Sequence, residues 1–248
     1  MQNLNREKIQ QAFQKYTKAY NAENPKIKLK IDHTYRVATL AEKIALTVDD
    51  VDSDMAWVLG MLHDIGRFEQ IKRYNTFSDA DSIDHAELGA DLLFKENLLS
   101  TFGVFSEEEK EIIEVSIRNH SRYRIQENLS ESLQNYCHIL RDADKIDIFR
   151  VNCETPLEDI YNVTTEELSY AEVSEAVKQC FHEKHAVLRK LKETAVDNLV
   201  AHICLIYELV YPISPEIAKE QGYVDKLLAF QSKNVETQKW FAYMRSVL

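Results

Sequence analysis

Glycine and proline are scarce, at five and four residues in 248. Tight turns and strand bends draw on both, so a chain that is nearly all helix is expected. Cysteine is sparse too. Cys137, Cys153, Cys180 and Cys204 show no C-x-x-C spacing and read as reduced, buried, small apolar side chains. A chain of this length can bury a full core without disulfide or structural-metal staples. Long apolar runs are missing as well. The most apolar stretch, Leu199 to Val210, covers about twelve residues, against about twenty for a membrane-spanning helix. The N-terminal MQNLNREKIQQAF is polar and helix-like and lacks the apolar run of a signal peptide, so the expected location is cytoplasmic. Basic charge is in deficit: 30 Lys and Arg stand against 41 Asp and Glu, for a net charge of −11. That field repels a long polyanion, so neither a nucleic-acid polymer nor a membrane is expected as partner. A small phosphorylated molecule remains open, because a local metal can reverse the sign of a site.

What is present is ordinary for a globular protein, with 45% hydrophobic and 29% charged residues. Val37, Leu40, Ala41, Ile44 and Ala45 recur at helical spacing. Met55, Val58, Leu59 and Leu62 mark a second helix, with Asp52, Ser53 and Asp54 as capping residues. A third runs from Ile83 to Asn97. A fourth starts at Ser106 with the acidic first turn Glu107 to Glu109 and reaches about Asn119. A fifth covers about Ser130 to Val151. Arg67 to Ser82 breaks the pattern and reads as a loop, as does the arginine-rich stretch Ser121 to Asn128.

After Pro156, helices are expected over Thr165–Leu191 and Thr194–Tyr211, then a tail after Pro212 and Pro215. The stripe Leu199, Ile203, Ile206, Val210 reads as core. No linker separates the halves. The expected organisation is residues 1–155 with an N-terminal helix, and a helical C-terminal extension, 156–248, packed on it as one compact unit. Two packed helical subdomains are the alternative.

Metal-binding residue types fall at helix ends in a particular order. His33 opens the first helix, the pair His63-Asp64 closes the second, His85 starts the third, His120 ends the fourth, and Asp144 lies within the fifth. Converging helix ends can gather imidazoles and carboxylates that no single helix could supply. Such a mixed donor set suits iron, manganese, zinc or cobalt.

The segments DHTYRVA around His33, LGMLHDIGR around His63-Asp64 and RDADK around Asp144 resemble the HD superfamily of metal-dependent phosphohydrolases. HAELGA at His85 and IRNH at His120 resemble its two-metal subset. The resemblance covers about residues 30 to 150. It implies an all-α HD-domain helical bundle holding two divalent transition metal ions. It implies that His33, His63, Asp64 and Asp144 hold the first metal, that His85 and His120 hold the second, and that Asp64 bridges them. The implied activity is hydrolysis of a small phosphate ester or nucleotide by a hydroxide held between the metals. A di-iron oxygenase and a non-catalytic ligand-binding module are the alternatives.

Arg67 stands where many family members carry a phosphate-contacting lysine, and its planar fork suits phosphate oxygens. Asp64, Arg67 and Lys145 are thereby the catalytic candidates, Lys145 to orient Asp144 or meet substrate. Arg67, Arg118 and Arg122 are the substrate-binding candidates, with Arg124 beside them. Asp32, Glu69 and Asp84 are candidate supporting partners or proton donors. His182 and His185 are spaced i, i+3 and do not form the zinc-protease motif. With His138 and His202 they read as surface or packing residues. The chain lacks the GYP signature of one cyclic-dinucleotide-cleaving branch. The region after Pro156 is left to shape the substrate pocket or a homo-oligomer surface.

Overall fold

The computed structural model describes residues 4–21, 23–161 and 163–248. Met1, Gln2 and Asn3 of the polar N-terminal stretch lie outside the described residues. The protein is 69% helical, with no strand among the described residues. It divides into two compact units, Met1–Asp144 and Lys145–Leu248. The boundary falls inside a long helix, ahead of the residue 155 expected from the sequence.

The first unit contains α1 (Arg6–Thr17), α2 (Pro25–Ala45), α3 (Ser53–Leu62), α4 (Ile65–Tyr74), α5 (His85–Phe94), α6 (Leu99–Phe102), α7 (Glu107–Asn119) and the start of α8 (Glu131–Glu154). The helix starts follow local chemistry. Asn24 caps α2 and Pro25 occupies its first turn, where the missing N–H costs nothing. Asp52 accepts from the Asp54 and Met55 amides to start α3. Ser106 and Glu109 form a reciprocal capping box on α7. Because α2 starts at Pro25, His33 sits in mid-helix rather than opening it.

Gly66 and the turn residues after it suggest a loop from Arg67, yet the structure forms α4 there. Phe68 and Ile71 are buried at i, i+3 spacing, so the segment carries its own apolar face. Gly66 is a packing residue here: a Cβ on it would lie 2.1 Å from the His85 carbonyl oxygen and 2.6 Å from the Gly89 nitrogen. The helix ends at Asn75 in a left-handed conformation, which asparagine tolerates. Only the stretch from Asn75 to Asp84 is irregular. The Tyr16 hydroxyl, on α1, donates to the Ile65 carbonyl at 3.0 Å, and the Tyr20 hydroxyl, just after α1, to Glu69 at 2.8 Å, fixing α4 from outside.

The second unit holds the rest of α8, then α9 (Leu157–Tyr161), α10 (Thr165–Tyr170), α11 (Glu175–His182), α12 (Ala195–Ile203), α13 (Ile213–Gln221), α14 (Tyr223–Leu228) and α15 (Val235–Val247), with 3-10 turns at Arg189–Leu191 and Cys204–Glu208. The single helix expected over Thr165–Leu191 is therefore broken. Buried Thr237 satisfies the break, donating to the Ala171 carbonyl and accepting from the Val173 amide. Buried Asp197 accepts from the Ser174, Glu193 and Thr194 amides. Lys184, at φ 57°, closes the segment after α11. The helix expected over Thr194–Tyr211 likewise ends at Ile203 and tightens into the 3-10 turn. The prolines of the expected tail start a helix instead: Pro212 precedes α13 and Pro215 lies in its first turn.

Backbones also meet closely between α2 and α3. A Cβ on Gly60 would stand 2.4 Å from the Ala38 Cα and 2.6 Å from its nitrogen. Backbone cannot move aside as a side chain can, so Gly60→Ala is expected to lower unfolding free energy by about 1–3 kcal/mol. Urea denaturation measures this; an unchanged midpoint would show that the two helices separate freely.

Candidate metal centre

The six residues drawn from the sequence come from six helix positions and meet in one buried cluster of the first unit. His33 projects from the middle of α2. His63 caps the end of α3 and Asp64 begins α4. His85 is the first residue of α5, His120 caps α7, and Asp144 lies on α8. The four histidines and Asp64 are at most 5% exposed.

Asp64 stands at a helix N-cap, where an aspartate ordinarily bonds the first-turn amides. Here its side chain makes no such bond. Its two oxygens face opposite ways. Oδ2 lies 3.5 Å from His33 Nε2 and 3.3 Å from His63 Nε2. Oδ1 lies 3.6 Å from His85 Nε2 and 3.9 Å from His120 Nε2. Asp144 Oδ1 joins the first side, 3.1 Å from His33 Nε2 and 3.9 Å from His63 Nε2. The cluster thus has two pockets of donors, His33, His63 and Asp64 in one and Asp64, His85 and His120 in the other, each compact enough for a metal ion.

The far ring nitrogens decide what the near ones offer. His63 Nδ1 donates to the Gly60 carbonyl at 2.7 Å, and His120 Nδ1 to the Ile117 carbonyl at 2.7 Å. His85 Nδ1 lies 2.8 Å from Asp79 Oδ2. With Nδ1 engaged, each ring turns its Nε2 into the cluster, and for His85 and His120, held neutral by burial, that nitrogen is a bare lone pair. His85 Nε2 and His120 Nε2 are 3.0 Å apart, so two acceptors face each other across a buried gap. A cation between them relieves that repulsion, and the donor set fits a divalent ion with imidazole and carboxylate ligands.

Electrostatics point the same way. Burial, then the neighbouring His85 and His63, pushes His120 down to about 3. Burial and the Arg67 charge lower His85. Burial alone would raise Asp64 and Asp144. For Asp64 the Lys30 ammonium leads the groups that outweigh it, and for Asp144 the hydrogen bond from His33 does; both carboxylates are held below the usual range.

Asp79, which the sequence does not single out, anchors His85 and is itself held by Arg67 and Gln70, each at 2.8 Å. Fully buried Gln70 ties the 75–84 loop through Ser82 and the Ile83 carbonyl, both at 2.9 Å. Arg141 gathers the carbonyls of Asn119, His120 and Arg122 at the end of α7 and so fixes where His120 sits. Lys30 enters the cluster directly, with Nζ 2.6 Å from Asp64 Oδ2. Its signal in the sequence is its place one turn before His33 on the same helical face.

The other candidates separate. Arg67 Nη1 is engaged by Gln70, the Phe77 carbonyl and Asp79, while its Nε is buried without a partner, 3.6 Å from Asp64 Oδ1. Lys145 is buried on α8 directly after Asp144. Arg118 and Arg122, the other two substrate-binding candidates, are ion-paired. Arg118 is enclosed by Glu87, Asp91 and Glu114, and Arg122 pairs with Glu87. Those acids line up on α5 and α7 at helical spacing, a match that residue order does not reveal. Arg124 lies over the Tyr123 ring. Asp32 is exposed, Glu69 binds Tyr20, Lys72 and Arg73, and Asp84 caps α5. His182 packs on Trp240 and Tyr243, His185 bonds Glu183 and the Ala186 carbonyl, and His202 meets the Tyr161 hydroxyl.

Unfolded histidine titrates near 6.5, whereas folded His120 stays neutral to about 3. The unfolded state therefore binds the proton first. The stabilisation is complete above 6.5 and is lost as pH falls towards 3. Metal-free protein is expected to weaken across that window, and His120→Asn to weaken less steeply. Urea midpoints at stepped pH measure it; equal slopes would reject the buried neutral imidazole.

Among the described residues no helix is long and apolar enough to cross a membrane. Comparison with curated proteins and with solved structures finds no match to this chain. Residues 31–148 match the family described as HD domain, a segment that contains all six residues of the cluster. HD domains bind divalent metals and are typical of metal-dependent hydrolases. Through this segment the chain belongs to the HD superfamily.

Proposed function

We propose that the cluster is a two-metal centre that hydrolyses a small phosphate ester or nucleotide. The observation that carries the reading is the split of Asp64, whose two oxygens address separate histidine pairs. His33, His63, Asp64 and Asp144 would hold one ion, and Asp64, His85 and His120 the other. Iron, manganese, zinc or cobalt suits these donors. Two such ions supply Lewis acidity toward phosphoryl oxygens and lower the pKa of a bound water.

The chain's own residues set the geometry. Asp64, with one oxygen toward each histidine pair, would be a ligand of both ions. Asp79 holds the His85 ring and keeps its Nε2 lone pair directed inward. Arg67, whose Nε lies 3.6 Å from Asp64 Oδ1, is the arginine assigned to phosphate oxygens. Lys145, next to Asp144, is assigned to orienting that carboxylate. The acidic chain with cations at the cluster favours a small anion over a nucleic-acid strand.

Purified protein, assayed for phosphate release on nucleotides, sugar phosphates and cyclic nucleotides with each metal in turn, tests the reading. Asp64→Ala is expected to reduce release by roughly 1000-fold or more, since both metal positions lose a ligand. Normal release by that variant would sink the mechanism. Two bound irons, silence across the panel and oxygen uptake would replace hydrolysis with oxygenation. Asp79→Asn is expected to weaken metal binding about 10- to 100-fold. Chelator competition measures this, and unchanged affinity would remove Asp79 from the site.

A further inference from the structure

Lys30 occupies an odd position for a side chain in a metal centre. Its Nζ is 2.6 Å from Asp64 Oδ2, the same oxygen that faces His33 Nε2 and His63 Nε2 at 3.5 and 3.3 Å. A divalent ion coordinated by that oxygen would meet the ammonium at short range, and like charges repel strongly there. The lysine also has somewhere to go. Its side chain is 15% exposed and reaches the outer side of the cluster. Nζ already lies 5.6 Å from the centre of the Phe77 ring, with the Arg67 guanidinium 5.9 Å from the same ring. Lys26 holds the start of that loop by donating to the Asn75 carbonyl at 2.7 Å. Phe77 is therefore a fixed surface around which cations collect.

We propose that Lys30 is a movable counter-ion, which neutralises Asp64 in the metal-free protein, yields Oδ2 to an incoming divalent ion, and then turns its ammonium to the substrate phosphate beside Arg67. This rests on the two-metal phosphohydrolase reading and adds to it a phosphate-positioning residue. The flexible four-carbon stem and three rotatable donors of lysine suit such an exchange, whereas a guanidinium would clamp the carboxylate in place. No bond is made or broken in the step. One cation replaces another on a carboxylate oxygen, and the freed ammonium takes phosphate oxygens as acceptors.

The test uses the full chain, metal-free, titrated with Mn(II) or Zn(II) against a chromophoric chelator. The loaded protein is then titrated calorimetrically with inorganic phosphate. Lys30→Met is expected to bind the first metal equivalent about tenfold more tightly and phosphate about tenfold more weakly. The second equivalent, held by Asp64 Oδ1 with His85 and His120, should change much less than the first and so report an intact fold. Lys30→Arg, which keeps the charge, should bind the first equivalent less tightly than Lys30→Met. Lys30→Gln gives the same comparison if the methionine variant does not fold. Equal or weaker metal binding by the neutral variants, or unchanged phosphate affinity, would overturn the role of Lys30 alone. A wild-type protein that binds no metal would remove the proposed function and this inference together.

Discussion

Four buried imidazoles crowded around one carboxylate are the constraint on which the first unit turns. Burial keeps His85 and His120 neutral, and hydrogen bonds at Nδ1 leave lone pairs facing one another at 3.0 Å. Such an arrangement is costly unless a positive charge occupies its centre. Asp64 supplies the matching negative charge and divides it between two sides. Lys30 shows the demand for a cation directly, since its ammonium is drawn onto the shared carboxylate. The likeness to the HD family and the local electrostatics therefore agree on what the site is built to hold.

Helix termini and glycines make that crowding feasible. His63 and Asp64 lie at the junction of two helices, so adjacent side chains can point to different partners. Close contact at Gly60 brings α3 against α2 and thus His63 towards His33. Close contact at Gly66 brings α4 against α5 and thus Asp64 towards His85. A methyl group at either place would push apart the backbones that carry the ligands. Outside these contacts, Arg141 holds the end of α7 through its carbonyls, and Tyr16 and Tyr20 hold α4. The second unit has its own logic, in which Thr237 and Asp197 satisfy the backbone where helices break.

Charge is distributed unevenly for a reason. The chain carries a net −11, yet Lys26, Lys30 and Arg67 surround Phe77 beside the cluster. Arg118 and Arg122 look equally suitable for an anion, but Glu87, Asp91 and Glu114 neutralise them. The cations gathered beside the cluster at Phe77 come from α2 and α4.

Much of the helical content and all six members of the cluster are legible in the amino-acid order. Scarce glycine and proline, helical periodicity and capping residues report local backbone preference, and the spaced His and Asp motifs report the donor set. Helix α4 and the broken segment after Thr164 are not legible in that way. Gly66 has the look of a turn residue, but its missing Cβ serves a contact with residues some twenty positions away. The breaks near Ala171 depend on Thr237, more than sixty residues later. Asp79, Lys30 and Arg141 likewise acquire their roles only from partners remote in sequence. The sequence alone determined the helical class and the chemical types of the donors, because both follow from local composition and spacing. Tertiary structure alone decided that Asp79 anchors His85, that Glu87, Asp91 and Glu114 enclose Arg118, and that Lys30 enters the site, because those depend on distances between helices.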